Sequence, residues 1–305
     1  MKCGVDIGGQ SVKIGFIDNK KLMYSYSIKT NKDTLFDDIF KSIKEYINKN
    51  NIKIDFIGFG IPGNVKNNYI YKMPNIGIGD IDLNKISKQY FNLPINSSND
   101  ANCAALGEAL NGKYKSSYFI TLGTGVGGGY VYDNKLVEGN TCSAAEIGHL
   151  FIDYKHNYQC TCGLKGCLET VASSVGIIRL AKEYKNQYKT NIDFDNISAK
   201  SVFDNAKLGD ELGLFVLNYV SKSLALAIRN ICVTVDPECI YIGGGVSACG
   251  NILIDRIKYY MNEVGFYASK DVVIKLAGLG NDAGMIGASL LWKKRRLLKY
   301  INLRF

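Results

Sequence analysis

Cys160, Cys162 and Cys167 stand within eight residues of one another, and His149 lies just upstream. Three thiolates and one imidazole form a complete tetrahedral Cys3His set for zinc. Gly163 and Gly166 supply the tight turns that such a knuckle needs. Free thiols, or a disulfide in an oxidising setting, are the rival reading. Clustering three of nine cysteines so densely favours the metal. Spacing admits either of the two histidines, His149 or His156, as the fourth ligand, and His149 is taken.

A second chemistry is written in glycine. Gly123, Gly125 and Gly128 follow an apolar strand over 118–122 and match G-x-G-x-x-G. A dinucleotide site of that pattern needs a helix directly after the loop. Here residues 130–135, Tyr-Val-Tyr-Asp-Asn-Lys, read as a hairpin instead. The dinucleotide reading therefore fails, and no G-x-x-x-x-G-K-[ST] loop is present. A strand–glycine–strand unit can still aim backbone N–H groups inward as an anion nest. The chain carries this unit twice, at 6–21 and 121–136, with a constant offset of 115. Gly8 falls over Gly123, and the tip Asp18-Asn19-Lys20 over Asp133-Asn134-Lys135. Each alone is explained as a tight hairpin; two facing nests can grip a triphosphate from both sides.

Asn99-Asp100 opens an alanine-rich helix. Both residue types are favoured helix caps, which is the plain reading. The chemical reading makes Asp100 a proton acceptor for an attacking hydroxyl, kept ionised by the helix N-terminus. Phosphoryl transfer asks for positioning and charge neutralisation more than for a strong base, so an ordinary aspartate suffices.

The elements that must position these residues alternate between strand and helix. Residues 33–49 have helical apolar spacing and lead to a strand over 54–59 that ends at Gly60-Ile61-Pro62-Gly63. Residues 212–233 read as a long apolar helix before a strand over 239–242 and the turn Gly243-Gly244-Gly245. This predicts two α/β lobes: residues 1–114, and residues 115–283. Residues 182–197 read as a polar surface excursion.

These segments together resemble the ROK family, named for repressors, open reading frames and kinases, over nearly the whole chain. The resemblance rests on Asp6-IGG, Gly60-IPG, Pro74-Asn75, Asn99-Asp-Ala-Asn, Leu122-GTGVGGG, Glu146-IGH, Cys160-TCGLKGC-Leu-Glu169, Gly243-GGVS and Asn281-DAG. It implies an actin/hexokinase-like, ribonuclease H-like pair of duplicated domains with a cleft between them. The last helix, over 284–298 with the tail to 305, would join the first lobe. It implies Mg-ATP held by Asp6, Gly8, Gly9, Gln10, Ser11 and Lys13, by Gly123, Thr124, Gly125 and Gly127, and by Gly243, Gly244 and Gly245. Asp100 matches the catalytic base. Gly63, Asn75, Asn99, Asp100, Glu146, His149 and Glu169 match the sugar-binding residues. His149, Cys160, Cys162 and Cys167 match a structural zinc site, with His149 touching both metal and sugar.

The expected activity is an ATP-dependent hexose kinase acting at the 6-hydroxyl. Glucose is the first choice, and N-acetylmannosamine or N-acetylglucosamine the second. A sugar-responsive regulator is the rival, but Asp6 already lies in the first loop and leaves no room upstream for a helix-turn-helix. A homodimer is common among such proteins. Three departures stand out. Gln10 replaces the usual Thr, the 149–160 gap is one residue longer than usual, and the tail from Trp292 to Phe305 runs past the typical end.

Composition sets the outer bounds. The 305 residues carry a net charge of +9, dispersed except for one run at Lys293, Lys294, Arg295 and Arg296. That dispersal reads as solvated surface rather than a nucleic-acid footprint. No export signal is evident, the glycine-rich stretch over 116–132 is too short for a membrane helix, and unpaired cysteines fit a cytoplasmic setting.

Overall fold

A computed structural model describes residues 1–292. The basic run, the tail and the end of the helix expected over 284–298 lie outside the described residues. The first half runs β1 (Lys2–Ile7), β2 (Ser11–Asp18), β3 (Lys21–Lys29), α1 (Leu35–Lys49) and β4 (Ile57–Ile61). A small antiparallel sheet follows, of β5 (Asn64–Lys66), β6 (Tyr69–Met73) and β7 (Ile78–Asp82), then α2 (Leu83–Ser87), β8 (Ile95–Asn99) and α3 (Asp100–Asn111). The second half runs β9 (Ser116–Leu122), β10 (Val126–Tyr132) and β11 (Lys135–Val137). After it come α4 (Glu169–Ala172), α5 (Ser174–Tyr184), α6 (Ala199–Lys207), α7 (Glu211–Val235), β12 (Cys239–Gly243), α8 (Asn251–Val264), β13 (Val273–Leu276) and α9 (Ala283–Leu290).

The duplication is visible in strand order. One five-stranded sheet is ordered β3-β2-β1-β4-β8, and the other β11-β10-β9-β12-β13. In each, hairpin strands occupy one side and parallel strands the other. Parallel neighbours need a crossover, which α1 supplies between β3 and β4 and α8 between β12 and β13. Each copy ends in a helix opened by Asn-Asp-Ala, at Asn99 and again at Asn281.

The hairpin tips are type I′-like, with both central residues at positive φ: Asn19 (46°) and Lys20 (68°), then Asp133 (48°) and Asn134 (61°). The aligned tips are therefore one residue out of step. The β2–β3 register also shifts between Phe16 and Ile17, leaving Met23 of β3 as a bulge beyond the first tip.

Two compact units result. One comprises Met1–Lys115, Gly129–Ala144 and the described residues from Asn281 on; the other comprises Ser116–Gly128 and Ala145–Gly280. In the first, α1 buries Leu35, Phe36, Ile39, Phe40 and Ile43, the i, i+3, i+4 stripe that its sequence spells out. Each such side chain contributes about 1.5–3 kcal/mol on burial. Asp37 and Asp38 in the first turn and Lys49 in the last complement the helix dipole. α9 packs on β1, β4 and α3 of the same unit. In the second unit α7 packs against α4, α5, α6 and α8. It is long and apolar enough to cross a membrane by length and composition, and 61% of its most apolar window is buried inside the protein.

Candidate functional site

The first unit gathers its candidates at the carboxyl ends of parallel strands, where open α/β sheets place their ligands. Register does the gathering: Asp6 pairs with Gly60, Gly60 with Ser98, and Ile61 with Asn99. A Cβ at Gly60 would lie 3.6 Å from Asp6 Oδ1 and 3.5 Å from the Asp100 Cα. Asn99, not Asp100, is the N-cap of α3, accepting from the amides of Ala101 (2.9 Å) and Asn102 (3.3 Å). Asp100 is the first helical residue, and its Oδ1 accepts from the Ala101 amide at 2.9 Å. Capping is thus mainly the work of Asn99, so the cap reading does not account for Asp100. Asn99 Nδ2 also donates to the Gly63 carbonyl at 3.4 Å.

Desolvation raises the Asp6 carboxyl above its ordinary range, and Lys13 partly pulls it back. The carboxylate lies over Gly284 at the start of α9, where a Cβ would come within 2.6 Å of it. Lys13 Nζ donates to the Asn281 carbonyl at 3.0 Å. Around the first glycine loop, Gly8 N donates to Ser11 O (3.0 Å) and Thr30 Oγ1 donates to Gly8 O (2.7 Å). Gly9 and Gln10 are exposed, and the Asn75 carbonyl is the nearest group to a Gly9 Cβ, at 4.0 Å. Thr30 escaped the sequence reading; its signal is the pairing that runs β3 back alongside Ser11.

The second unit brings together the second glycine loop, the glycine turn after β12 and the cysteine–histidine group. Gly243 pairs with Thr121, and Gly244 lies against the backbone of Leu122, so both glycine segments leave one end of the sheet. Gly123 N donates to Gly125 O (2.9 Å), and Ser174 N donates to Gly123 O (2.8 Å). Glu169 joins this loop to the knuckle. Its Oε2 accepts from Val126 N at 3.0 Å, and its Oε1 accepts from Thr161 Oγ1 at 3.2 Å and lies 3.8 Å from Cys160 Sγ. A Cβ at Gly125 would come within 2.4 Å of Glu169 Oε2, so a larger residue there would have to displace the carboxylate from its bond to the loop. The Glu146 carboxyl is raised first by desolvation, pulled back by His149, and raised again by Glu169. These three expected sugar ligands are therefore electrostatic neighbours.

The ligand atoms of His149, Cys160, Cys162 and Cys167 all lie within 4.8 Å of one another. His149 Nδ1 is 3.6 Å from Cys160 Sγ, and the sulfurs of Cys162 and Cys167 are 3.7 Å apart. Tetrahedral zinc with bonds of about 2.0–2.1 Å to nitrogen and 2.3 Å to sulfur calls for about 3.6 Å and about 3.8 Å respectively. The donor set fits the ion. His156 is engaged elsewhere, with Asp153, Tyr184 and Tyr219, which removes it from the choice that spacing left open. Burial pushes the Cys167 thiol up to about 12, whereas the Leu164 backbone amide lowers that of Cys162. A divalent ion would deprotonate the set on binding.

Comparison with known proteins adds three relatives. The ROK family model matches residues 2–295. A glucokinase of Halalkalibacterium halodurans is 36% identical over 96% of this chain and 94% of its own length. An N-acetyl-D-glucosamine kinase of Haemophilus influenzae is 29% identical over 96% and 99%. Among solved structures, a ROK family glucokinase from Streptomyces griseus, in complex with glucose and AMPPNP, superimposes with a TM-score of 0.78. It is 27% identical and covers 95% of this chain and 98% of its own.

Proposed function

The chain belongs to the ROK family, and from that premise we propose that it is an ATP-dependent hexose kinase that transfers the γ-phosphoryl group to the 6-hydroxyl of glucose. The observation that carries this is the row Asp6, Gly60 and Ser98 at the strand ends, with Asp100 beside it and the cap left to Asn99. Asp100 accepts the proton as the 6-oxygen attacks the γ-phosphorus. The new O–P bond replaces the bridging bond, and ADP leaves. Asp6, Gly8, Gly9, Gln10, Ser11 and Lys13, with Gly123, Thr124, Gly125 and Gly127, are the phosphate-binding set, and Gly243, Gly244 and Gly245 border the adenosine. Magnesium accompanies ATP to neutralise developing charge.

Gly63, Asn75 and Asn99 are the sugar-binding residues of the first unit, and Glu146, His149 and Glu169 those of the second. The proposed domain division follows: a first lobe carrying the base, and a second carrying the knuckle and the second loop. His149, Cys160, Cys162 and Cys167 hold one structural zinc, whose role is to orient His149. The protein works in the cytoplasm as a homodimer.

An N-acetylhexosamine is the second reading, favoured by the N-acetyl-D-glucosamine kinase relative. A coupled assay of ADP release against glucose, N-acetylglucosamine and N-acetylmannosamine separates the two. A kcat/KM for an acetamido sugar at least about tenfold above glucose reverses the ranking. No ADP release with any of the three removes the kinase reading. Elemental analysis of protein purified without added metal is expected to find one zinc per chain.

A further inference from the structure

The ten residues between His149 and Cys160 form a segment that neither the metal nor the glycine loops explain. Its two flanks are tied to the same short stretch. Ile152 N and Asp153 N both donate to Gly166 O, at 2.9 and 3.0 Å, and Gly166 N donates to Tyr158 O at 3.0 Å. Bridges pair Phe151 with Cys167 and Gln159 with Lys165. Residues 154–157 are the turn that closes this arrangement, with Asn157 at φ 54°. Asp153 Oδ1 folds the turn by accepting from the backbone amides of Lys155 (3.3 Å) and His156 (3.2 Å).

Tyr154, Lys155 and Asn157 of that turn are exposed, but the His156 side chain is inserted beside Asp153. The side chains of His156 and Asp153 are only 4% and 0% exposed. His156 Nδ1 lies 3.2 Å from Asp153 Oδ1 and 3.0 Å from the Tyr219 hydroxyl, and Nε2 lies 2.8 Å from the Tyr184 hydroxyl. Tyr219 also donates to Asp153 Oδ1 at 2.5 Å. Tyr158 stacks on the imidazole, with centroids 4.9 Å apart and planes 10° off parallel. Tyr184 ends α5, and Tyr219 lies within α7. One imidazole thus pins the arm between two metal-ligand positions onto two helices.

We propose that His156 is a positioning residue: it staples the 150–159 arm to α5 and α7 and so holds His149 and Cys160 at the separation a shared metal requires. The proposal rests on the zinc and sugar reading of that group. Buried polar networks act as a unit, since losing one member leaves the others desolvated and unpaired. The metal is therefore expected to be sensitive to a side chain that never touches it.

The test compares the full-length parent with His156→Leu and His156→Gln, each checked for folding by circular dichroism. In His156→Leu, zinc transfer to an excess of a chromogenic chelator should be about tenfold faster or more, the range seen for groups that support metal ligands. The KM for glucose should rise by about tenfold, while the KM for ATP stays within about twofold. His156→Gln should recover part of both, because its amide can still bond Asp153 or a tyrosine hydroxyl. A folded His156→Leu with parental zinc transfer and parental glucose KM overturns the proposal. If His156→Leu does not fold, Tyr219→Phe decides: transfer about two- to fivefold faster supports it, and parental transfer overturns it. A parent purified without zinc refutes the metal assignment alone. Amide exchange over 150–160 then reads the staple, with faster exchange in the leucine variant supporting it and unchanged exchange overturning it.

Discussion

The two glycine loops descend from one pattern yet are held in different ways. The first is closed on itself through Gly8 N and Ser11 O and tied back by the Thr30 hydroxyl, with Gly9 and Gln10 left exposed. The second has an amide, Val126 N, bonded to the Glu169 carboxylate, which also reaches Thr161 and lies beside Cys160. The carboxyl behind the first loop, Asp6, lies over Gly284 instead. A duplicated backbone therefore produces one loop supported by its own hairpin and one wired to the cysteine–histidine group. A change at Glu169 itself, which bonds both, should be felt at the second loop and not at the first.

The largest effect is expected beside the first loop. Asp100→Asn keeps the shape of the helix start and removes proton acceptance, so kcat should fall about a hundredfold or more, with sugar affinity less affected. Near-parental turnover would exclude Asp100 as the base. The loops themselves are separated by a matched pair of alanines. Gly125→Ala drives a methyl group into Glu169 and should cost about 1–3 kcal/mol of stability in urea titration. Gly9→Ala meets nothing nearer than 4.0 Å and should stay within about 0.5 kcal/mol of the parent without nucleotide. Equal losses in both variants would break the comparison.

A subtler test lies in pH. Burial raises the Asp6 carboxyl in the folded state, so the folded protein holds that proton to higher pH than the unfolded chain. Its contribution is favourable below the ordinary carboxylate range and is lost as pH rises through the folded value. Asp6→Asn should therefore melt above the parent at pH 7, with the gap closing as pH falls into the carboxylate range. A gap that does not change with pH would contradict this. The smallest effect is expected at exposed Gln10. Its amide can donate to phosphate much as a hydroxyl does, so Gln10→Thr should shift the KM for ATP by no more than about threefold.

Much of the site was legible because its chemistry is local. Cys160, Cys162 and Cys167 declare themselves by spacing, and the Asp18 and Asp133 tips declare hairpins by residue type. The second Asn-Asp-Ala, at Asn281, was equally open to reading as part of the duplication, but its distance from the glycine repeat hid it. The bulge beyond the first tip was not legible, because it depends on how β3 pairs with β2, not on the hairpin residues alone.

The sequence by itself determined the duplication, the alternation of strands and helices, the glycine loops and the cluster of three cysteines. These follow from periodicity, turn propensity and close spacing, all of which act over a few residues. Only the tertiary structure decided which histidine joins the cysteines. His149 and His156 are equivalent by spacing, but His156 fills a pocket made by Tyr184 and Tyr219, residues 28 and 63 positions away. Tertiary structure also decided that Asn99 caps α3 and that Asp6, Gly60 and Ser98 form one row, since register between distant strands is set by packing across the sheet. The bond from Glu169 to the second loop spans 43 residues, and no local propensity encodes a contact at that range.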